Sequence, residues 1–254
     1  MPELTVMPLT GMPLFEAGMS VAAEVAAALT RANERLGDGD VIVVAQKIVS
    51  KAEGRLVCLS DVAASDAARE LAEQTGRDPA MAQLILDESS HILRASPAAI
   101  IARQHTGHVL ANAGIDASNV AGDDVLLWPL DPDASARAIR AELARLTGVP
   151  AAVVIADSLG RAWRIGTVGA AIGCAGLTVL DDRRGKGLDL FGRTLQATVI
   201  AIADAAAAMA VLAMGEGAEG TPAALVRGLG HWVSAENGPG ATSGLRPIAE
   251  DMFR

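Results

Sequence analysis

The apolar run Ala151-Ala-Val-Val-Ile-Ala156 constrains the fold of this chain most, because it leads without a break into Asp157-Ser-Leu-Gly-Arg-Ala-Trp-Arg164. A short run rich in β-branched residues reads as a buried strand. A second run, Val41-Ile-Val-Val-Ala45, reads as a strand covered on both faces and delivers Gln46-Lys-Ile-Val-Ser-Lys-Ala-Glu-Gly-Arg55 just as abruptly. A plain connection needs a turn residue or two. Asp157, Ser158, Arg161 and Arg164 so close together ask for a function.

The rest of the pattern mixes helices and short strands. Residues 21–36 have helix-forming composition. Residues 65–74 and 78–93 read as two amphipathic helices, the second opened by Asp78 as N-cap and Pro79 at the first helical position. Residues 98–107 and 108–113 read as strands joined around Gly107, and residues 123–133 as a stretch that carries another strand up to the start of a helix over 134–146. Residues 169–176 are a glycine- and alanine-rich stretch suited to close backbone packing, and residues 180–189 an exposed charged loop. The alanine-rich residues 195–214 read as a buried or dimer-facing helix, residues 223–226 as a strand, and residues 228–244 as a loop-like tail with a mobile end. With 254 residues, 51% hydrophobic, and only three Trp, three Phe and no Tyr, the core must be built from small aliphatic side chains. A single mixed α and β domain is expected, without internal repeat or linker.

A formal charge of -9 repels a polyanion, so nucleic acid is not an expected partner. No Lys or Arg precedes Arg31, which argues against a secretory signal. Asp204 in the middle of residues 195–214 argues against a membrane span. Cys58 and Cys174 lack metal-type spacing and read as small buried hydrophobes in a reduced, cytoplasmic setting.

Asp116, Asp157 and Glu216 each stand beside glycine or serine at the end of an apolar element. Carboxylates from separate loops hold hard divalent cations against phosphates, and Ser158 adds a hydroxyl oxygen. Taken singly, each acid reads equally as a helix cap or turn residue, and only convergence in space lifts the metal reading. Lys47, Lys51, Arg161 and Arg164 supply positive charge suited to phosphoryl transfer, although residues 46–55 also read as a solvated hairpin. The Gly215-Glu-Gly-Ala-Glu-Gly220 loop offers bare backbone N–H groups. No P-loop and no dinucleotide fingerprint is present. His105 and His108 are three apart but lack a third ligand partner, and a structural role suits them better. No Ser-His-Asp arrangement can be read.

Five strings in order carry a resemblance. Gln46-Lys-Ile-Val-Ser-Lys-Ala-Glu-Gly-Arg55, Ala111-Asn-Ala-Gly-Ile-Asp-Ala-Ser-Asn119, Leu130-Asp-Pro-Asp133, Asp157-Ser-Leu-Gly-Arg-Ala-Trp-Arg164 and Met214-Gly-Glu-Gly-Ala-Glu-Gly220 resemble the coenzyme F420-0:gamma-glutamyl ligase family over nearly the whole chain. The resemblance implies an α+β fold of the family's own, with largely antiparallel sheets, two interleaved subdomains and an intertwined homodimer. It implies a GTP-dependent ligase that adds L-glutamate by a gamma-linkage to F420-0 through an acyl phosphate. Magnesium or manganese at two sites is implied as well, with potassium assisting. Carried over residue by residue, the metal ligands fall on Asp116, Asp157, Ser158 and Glu216. Contacts to GTP fall on Met12, Pro13, Leu14, Phe15, Gln46, Lys47, Lys51 and Asn119, and on Met214, Gly215, Glu216, Gly217, Ala218, Glu219, Gly220 and Thr221. Asp157, Lys47, Lys51, Arg161 and Arg164 are the expected catalytic set. Position 158 is usually threonine in the family and 162 often proline, where Ser158 and Ala162 stand here. Relatives with a further reductase-like domain exist, and none is expected here. A nucleotide-dependent ligase acting on a different carboxylate, or a non-catalytic nucleotide-binding protein, are the alternatives.

Overall fold

The structure is a computed structural model that describes residues 3–251. It opens with β1 (Thr5–Pro8) and α1 (Val21–Arg31), which Ser20 caps by accepting the Ala23 N–H. β2 (Val41–Ala45) runs straight into α2 (Gln46–Ala52), so residues 46–52 are helical where a solvated hairpin was the competing reading. β3 (Leu56–Cys58) precedes α3 (Asp66–Thr75) and α4 (Pro79–Asp87), with Ser65 and Asp78 as the N-caps. α4 stops six residues short of the expectation, because residues from Ser89 onward pair as β4 (Ser89–Ala95) with β5 (Ile100–Gln104). Cross-strand hydrogen bonds there outweigh a modest helix propensity. β6 (Val109–Ala111) completes that sheet, and β7 (Asp124–Leu126) pairs with β3. α5 (Pro132–Thr147) is capped by Asp131 and closed by left-handed Gly148. The long hairpin β8 (Ala152–Arg161) and β9 (Arg164–Ala175) follows, then the pair β10 (Leu180–Asp182) and β11 (Val199–Ala201), α6 (Ile202–Met214) and β12 (Ala223–Arg227). The alanine helix is therefore shorter than expected: residues 195–198 are irregular and 199–201 form β11. No helix among the described residues is long and apolar enough to cross a membrane.

The central sheet has the order β1-β12-β2-β8-β9. Only β2 and β8 pair in parallel, from Val41 with Ala152 to Ala45 with Ala156, and the other pairs are antiparallel. The mixed, largely antiparallel α and β fold expected from the resemblance is what forms. Strand residues alternate between faces. Ile42, Val44, Val153 and Ile155 join α1 and α5 in one apolar layer, while Val41, Val43, Ala152 and Val154 join α6 in the other. A third cluster, with Leu71, Ile85, Ile100 and Leu127, fills the space between α3, α4 and the β4–β6 sheet. The glycine-rich stretch expected to permit close packing is β9 itself. A Cβ on Gly169 would lie 2.5 Å from Ala207 O of α6, and one on Gly173 would collide with Pro132 O of α5.

The segment after β12 is bolted to the sheet. Arg140 of α5 donates to the carbonyls of Pro150, Ala151, Ser234 and Ala235 and to Asn237 Oδ1. Asp133 accepts from Cys174 N, Ala241 N, and both the N–H and hydroxyl of Thr242. What read as a loose tail is thus held by two buried charges.

Parallel pairing of β2 and β8 has one consequence for chemistry. Ala45, the last residue of β2, pairs with Ala156 of β8, so Gln46 and Lys47 emerge next to Asp157.

Candidate active site

At the end of β2 lies a cleft of about 500 Å³. Its walls are residues 12–15, the first turns of α2, the turn carrying Asp116, Ser118 and Asn119, the stretch Ala156–Ser158, and the loop after α6 through Pro222. Every residue expected to contact nucleotide lines it: Met12, Pro13, Leu14, Phe15, Gln46, Lys47, Lys51, Asn119, and Met214 through Thr221. The expected metal set, Asp116, Asp157, Ser158 and Glu216, lines the same cleft.

Local structure explains each placement. Lys47 and Lys51 are four apart on α2 and share a face. Gln46, on the buried side of α2, donates to Ser50 Oγ at 2.6 Å and Leu127 O at 3.5 Å, and its Oε1 has no partner among the described residues. Asp116 follows a tight turn in which Asn112, Ala113 and Gly114 all have positive φ. The Asp116 N–H donates to Leu126 O at 3.0 Å, and Leu126 N–H returns a bond at 2.8 Å. This isolated bridge to β7 swings the carboxylate toward α2.

Lys47 Nζ is ion-paired with Asp116 Oδ2, and Asp116 Oδ1 accepts from Ser118 N at 2.6 Å. Burial pushes the Asp116 carboxyl up, but the Lys47 hydrogen bond, the Ser118 N–H and the Lys47 charge outweigh it and hold it below the usual value. Lys51 Nζ donates to Asn119 O at 2.8 Å, stitching α2 to the same turn. Asp157 goes the other way. Burial raises its pKa to about 6, against the opposing pull of the Trp128 N–H, Lys47 and the Ser158 N–H, and the Asp116 charge adds to the rise. Its Oδ2 accepts from Trp128 Nε1 at 2.8 Å and its Oδ1 from Ser158 N at 2.8 Å.

Three sequence expectations need correction. β8 does not end at Asp157: it continues through Arg161, with Asp157 opposite Ala170 and Ser158 opposite Gly169. Arg161 and Arg164 consequently pair across the hairpin tip, exposed, and do not line the cleft of their own chain. At about 3.3 Å per residue, Arg161 stands roughly 13 Å along the strand from Asp157. Finally, the three acids do not form a ready cluster. Glu216 is on an exposed loop, and among the described residues no group of three His, Cys, Asp or Glu is arranged to hold an ion. The loop is shaped by Glu219 instead, which accepts the Gly217 N–H at 2.8 Å, and by Thr221, whose hydroxyl donates to Met214 O at 2.5 Å.

Neither His105 nor His108 lines the cleft. His105 Nε2 bonds Asp87 O at 2.8 Å, and His108 bonds Thr106 Oγ1 through Nδ1 while meeting Trp128 edge-on. Cys58 and Cys174 are free thiols, the second buried. Trp128 is the residue that sequence reasoning missed at this site. It stands within residues 123–133, but no local signal ties an indole to a carboxylate on a strand that a whole helix separates from it.

A cleft with two lysines, paired acids, glycine-rich backbone and an unsatisfied amide oxygen suits a polyphosphate with its cation. Comparison with known proteins identifies a family and its relatives. Residues 11–228 match the family described as F420-0:Gamma-glutamyl ligase. The Coenzyme F420:L-glutamate ligase of Methanothermobacter thermautotrophicus is 46% identical over 246 residues, covering 96% of each chain. The enzymes of the same name from Methanopyrus kandleri and Methanocaldococcus jannaschii are each 44% identical, over 90% and 85% of both chains respectively.

Proposed function

The chain belongs to the F420-0:gamma-glutamyl ligase family, and from that premise we propose that it adds L-glutamate by a gamma-linkage to F420-0 at the expense of GTP. The observation that carries the reading is the meeting of Lys47, Asp116 and Asp157 in one cleft with the glycine-rich loop, four segments far apart in sequence.

Amide formation from a carboxylate needs an activated acyl group. In this reading the precursor's carboxylate oxygen attacks the γ-phosphorus of GTP and GDP leaves. The glutamate amine then attacks the resulting acyl phosphate, a proton is lost from nitrogen, and inorganic phosphate departs. Residues 12–15 and Asn119 frame the nucleotide, and Gln46 Oε1 accepts from a donor on it. Backbone N–H groups of the loop from Met214 to Thr221 line the phosphates. Lys51 and Lys47 neutralise charge on the phosphate oxygens. Asp116, Asp157, Ser158 and Glu216 offer only oxygen donors, which fits a hard divalent cation. Magnesium or manganese bound there would offset phosphate charge and orient the leaving group. The exposed apolar residues Trp163, Ile165, Leu190 and Phe191 support assembly as a homodimer.

The test is mass spectrometry after incubation with F420-0, GTP, manganese and L-glutamate. A product heavier by one or more glutamyl units, with GDP and phosphate released and no product from Asp157→Asn, is the expected result. GTP consumption supported by another carboxylate but not by F420-0 would overturn the substrate assignment.

A further inference from the structure

Trp128 is the bulkiest fully buried side chain among the described residues. It lies beneath the cleft and belongs neither to its lining nor to the residues carried over from the family. Two contacts of its indole concern the acids. The ring N–H donates to Asp157 Oδ2 at 2.8 Å. The five-membered ring presses on Gly114, where a Cβ would lie 2.5 Å from Nε1 and 2.6 Å from Cε2. Gly114 closes the turn that presents Asp116. From the far side His108 holds the ring edge-on, 5.4 Å between centroids and at 79°. One rigid ring therefore touches both segments that bring a carboxylate to the site.

We propose that Trp128 is a positioning residue for the acid pair: its N–H sets the orientation of the Asp157 carboxylate, and its ring against Gly114 sets the spacing between Asp157 and the Asp116 turn. The inference rests on the proposed function only in taking Asp116 and Asp157 as cation ligands. A buried indole needs an acceptor, and a backbone carbonyl would satisfy it. Here the N–H is spent on a carboxylate of the cleft. With Ser158 N–H on Oδ1, each oxygen of Asp157 keeps a lone pair uncommitted to protein. Hydrogen-bond partners of this kind orient metal ligands, and their loss typically lowers metal affinity by about 10- to 100-fold.

The test is titration of the intact protein with Mn2+, followed by the paramagnetic resonance of the free ion, alongside thermal melts and steady-state kinetics. Trp128→Phe keeps a ring and removes the N–H. Its Mn2+ dissociation constant is expected to rise by about 10- to 100-fold, with the KM for L-glutamate unchanged and kcat recovered at saturating Mn2+. Gly114→Ala, which pushes a methyl into the indole, is expected to weaken Mn2+ in the same sense. Wild-type Mn2+ affinity in folded Trp128→Phe overturns the orienting role, and wild-type affinity in folded Gly114→Ala overturns the spacing role. Should either variant not fold, the indole N–H resonances of the wild-type protein decide. Diamagnetic Mg2+ is expected to shift the Trp128 resonance, and an unmoved resonance overturns the proposal. Asp157→Asn separates the two readings. If it binds Mn2+ like wild type, the metal site itself is wrong. If it loses Mn2+ while Trp128→Phe does not, only the role of Trp128 falls.

Discussion

Asp133 and Asp157 are both acids held against β9, and the protein treats them in opposite ways. Asp133 collects donors from Cys174, Ala241 and Thr242, at 2.6 to 3.3 Å, and bolts the C-terminal segment to α5. Asp157 has one donor per oxygen, opens on a cleft, and has its pKa raised to about 6 chiefly by burial. The cations repeat the contrast: Arg140 is wrapped in carbonyls, whereas Lys47 and Lys51 face the cleft. A buried charge whose hydrogen-bonding capacity is filled by protein is part of the fold. One left partly served is tuned for something that arrives later.

The contrast can be broken most sharply at Asp133. Asp133→Ala leaves buried N–H groups of Cys174 and Ala241 without an acceptor and should cost about 3–5 kcal/mol in urea unfolding. A loss below about 1 kcal/mol would erase the distinction. Asp157→Asn should move the other way in metal-free protein. Folding raises this carboxyl from 3.8 to about 6, so the charged form is the disfavoured one. The penalty is present in full above about pH 6 and is relieved as pH falls toward 4. Thermal melts in a chelator should show the variant more stable at pH 7.5, by on the order of 3 kcal/mol, with the advantage gone near pH 4. An advantage that does not change with pH would mean that burial is not its cause. The smallest effect is expected at the hairpin tip. Arg161→Ala with Arg164→Ala should shift stability by no more than about 0.5 kcal/mol, since both side chains are exposed. Calorimetry should find GTP affinity unchanged in the pair variant, because neither arginine lines the cleft of its own chain.

Much of the site could be read from the chain. Short apolar runs announced β2 and β8, Asp78-Pro79 announced α4, and the strings around Gln46, Asp116, Asp157 and Met214 each placed residues on the cleft. The errors share a cause. Residues 89–93 read as helix in the sequence because their pairing with β5 is invisible locally. The strand after Ala156 seemed to stop at its first charge, yet β9 supplies partners as far as Arg161. Arg161 and Arg164 were grouped with Asp157 by closeness in sequence, while the strand that joins them carries them away. Trp128 was passed over because its acceptor lies on another element.

Near-neighbour physics set what the amino-acid order determined alone: the period of apolar positions, the caps, the turn residues and the identity of the charged groups. Which charges meet was decided by the tertiary structure. Parallel pairing of β2 with β8 puts Lys47 beside Asp157, a bridge to β7 brings in Asp116, and one buried indole spans the two acids. Those relations depend on contacts between segments distant in sequence, whose cost in chain entropy is recovered only when the whole core closes.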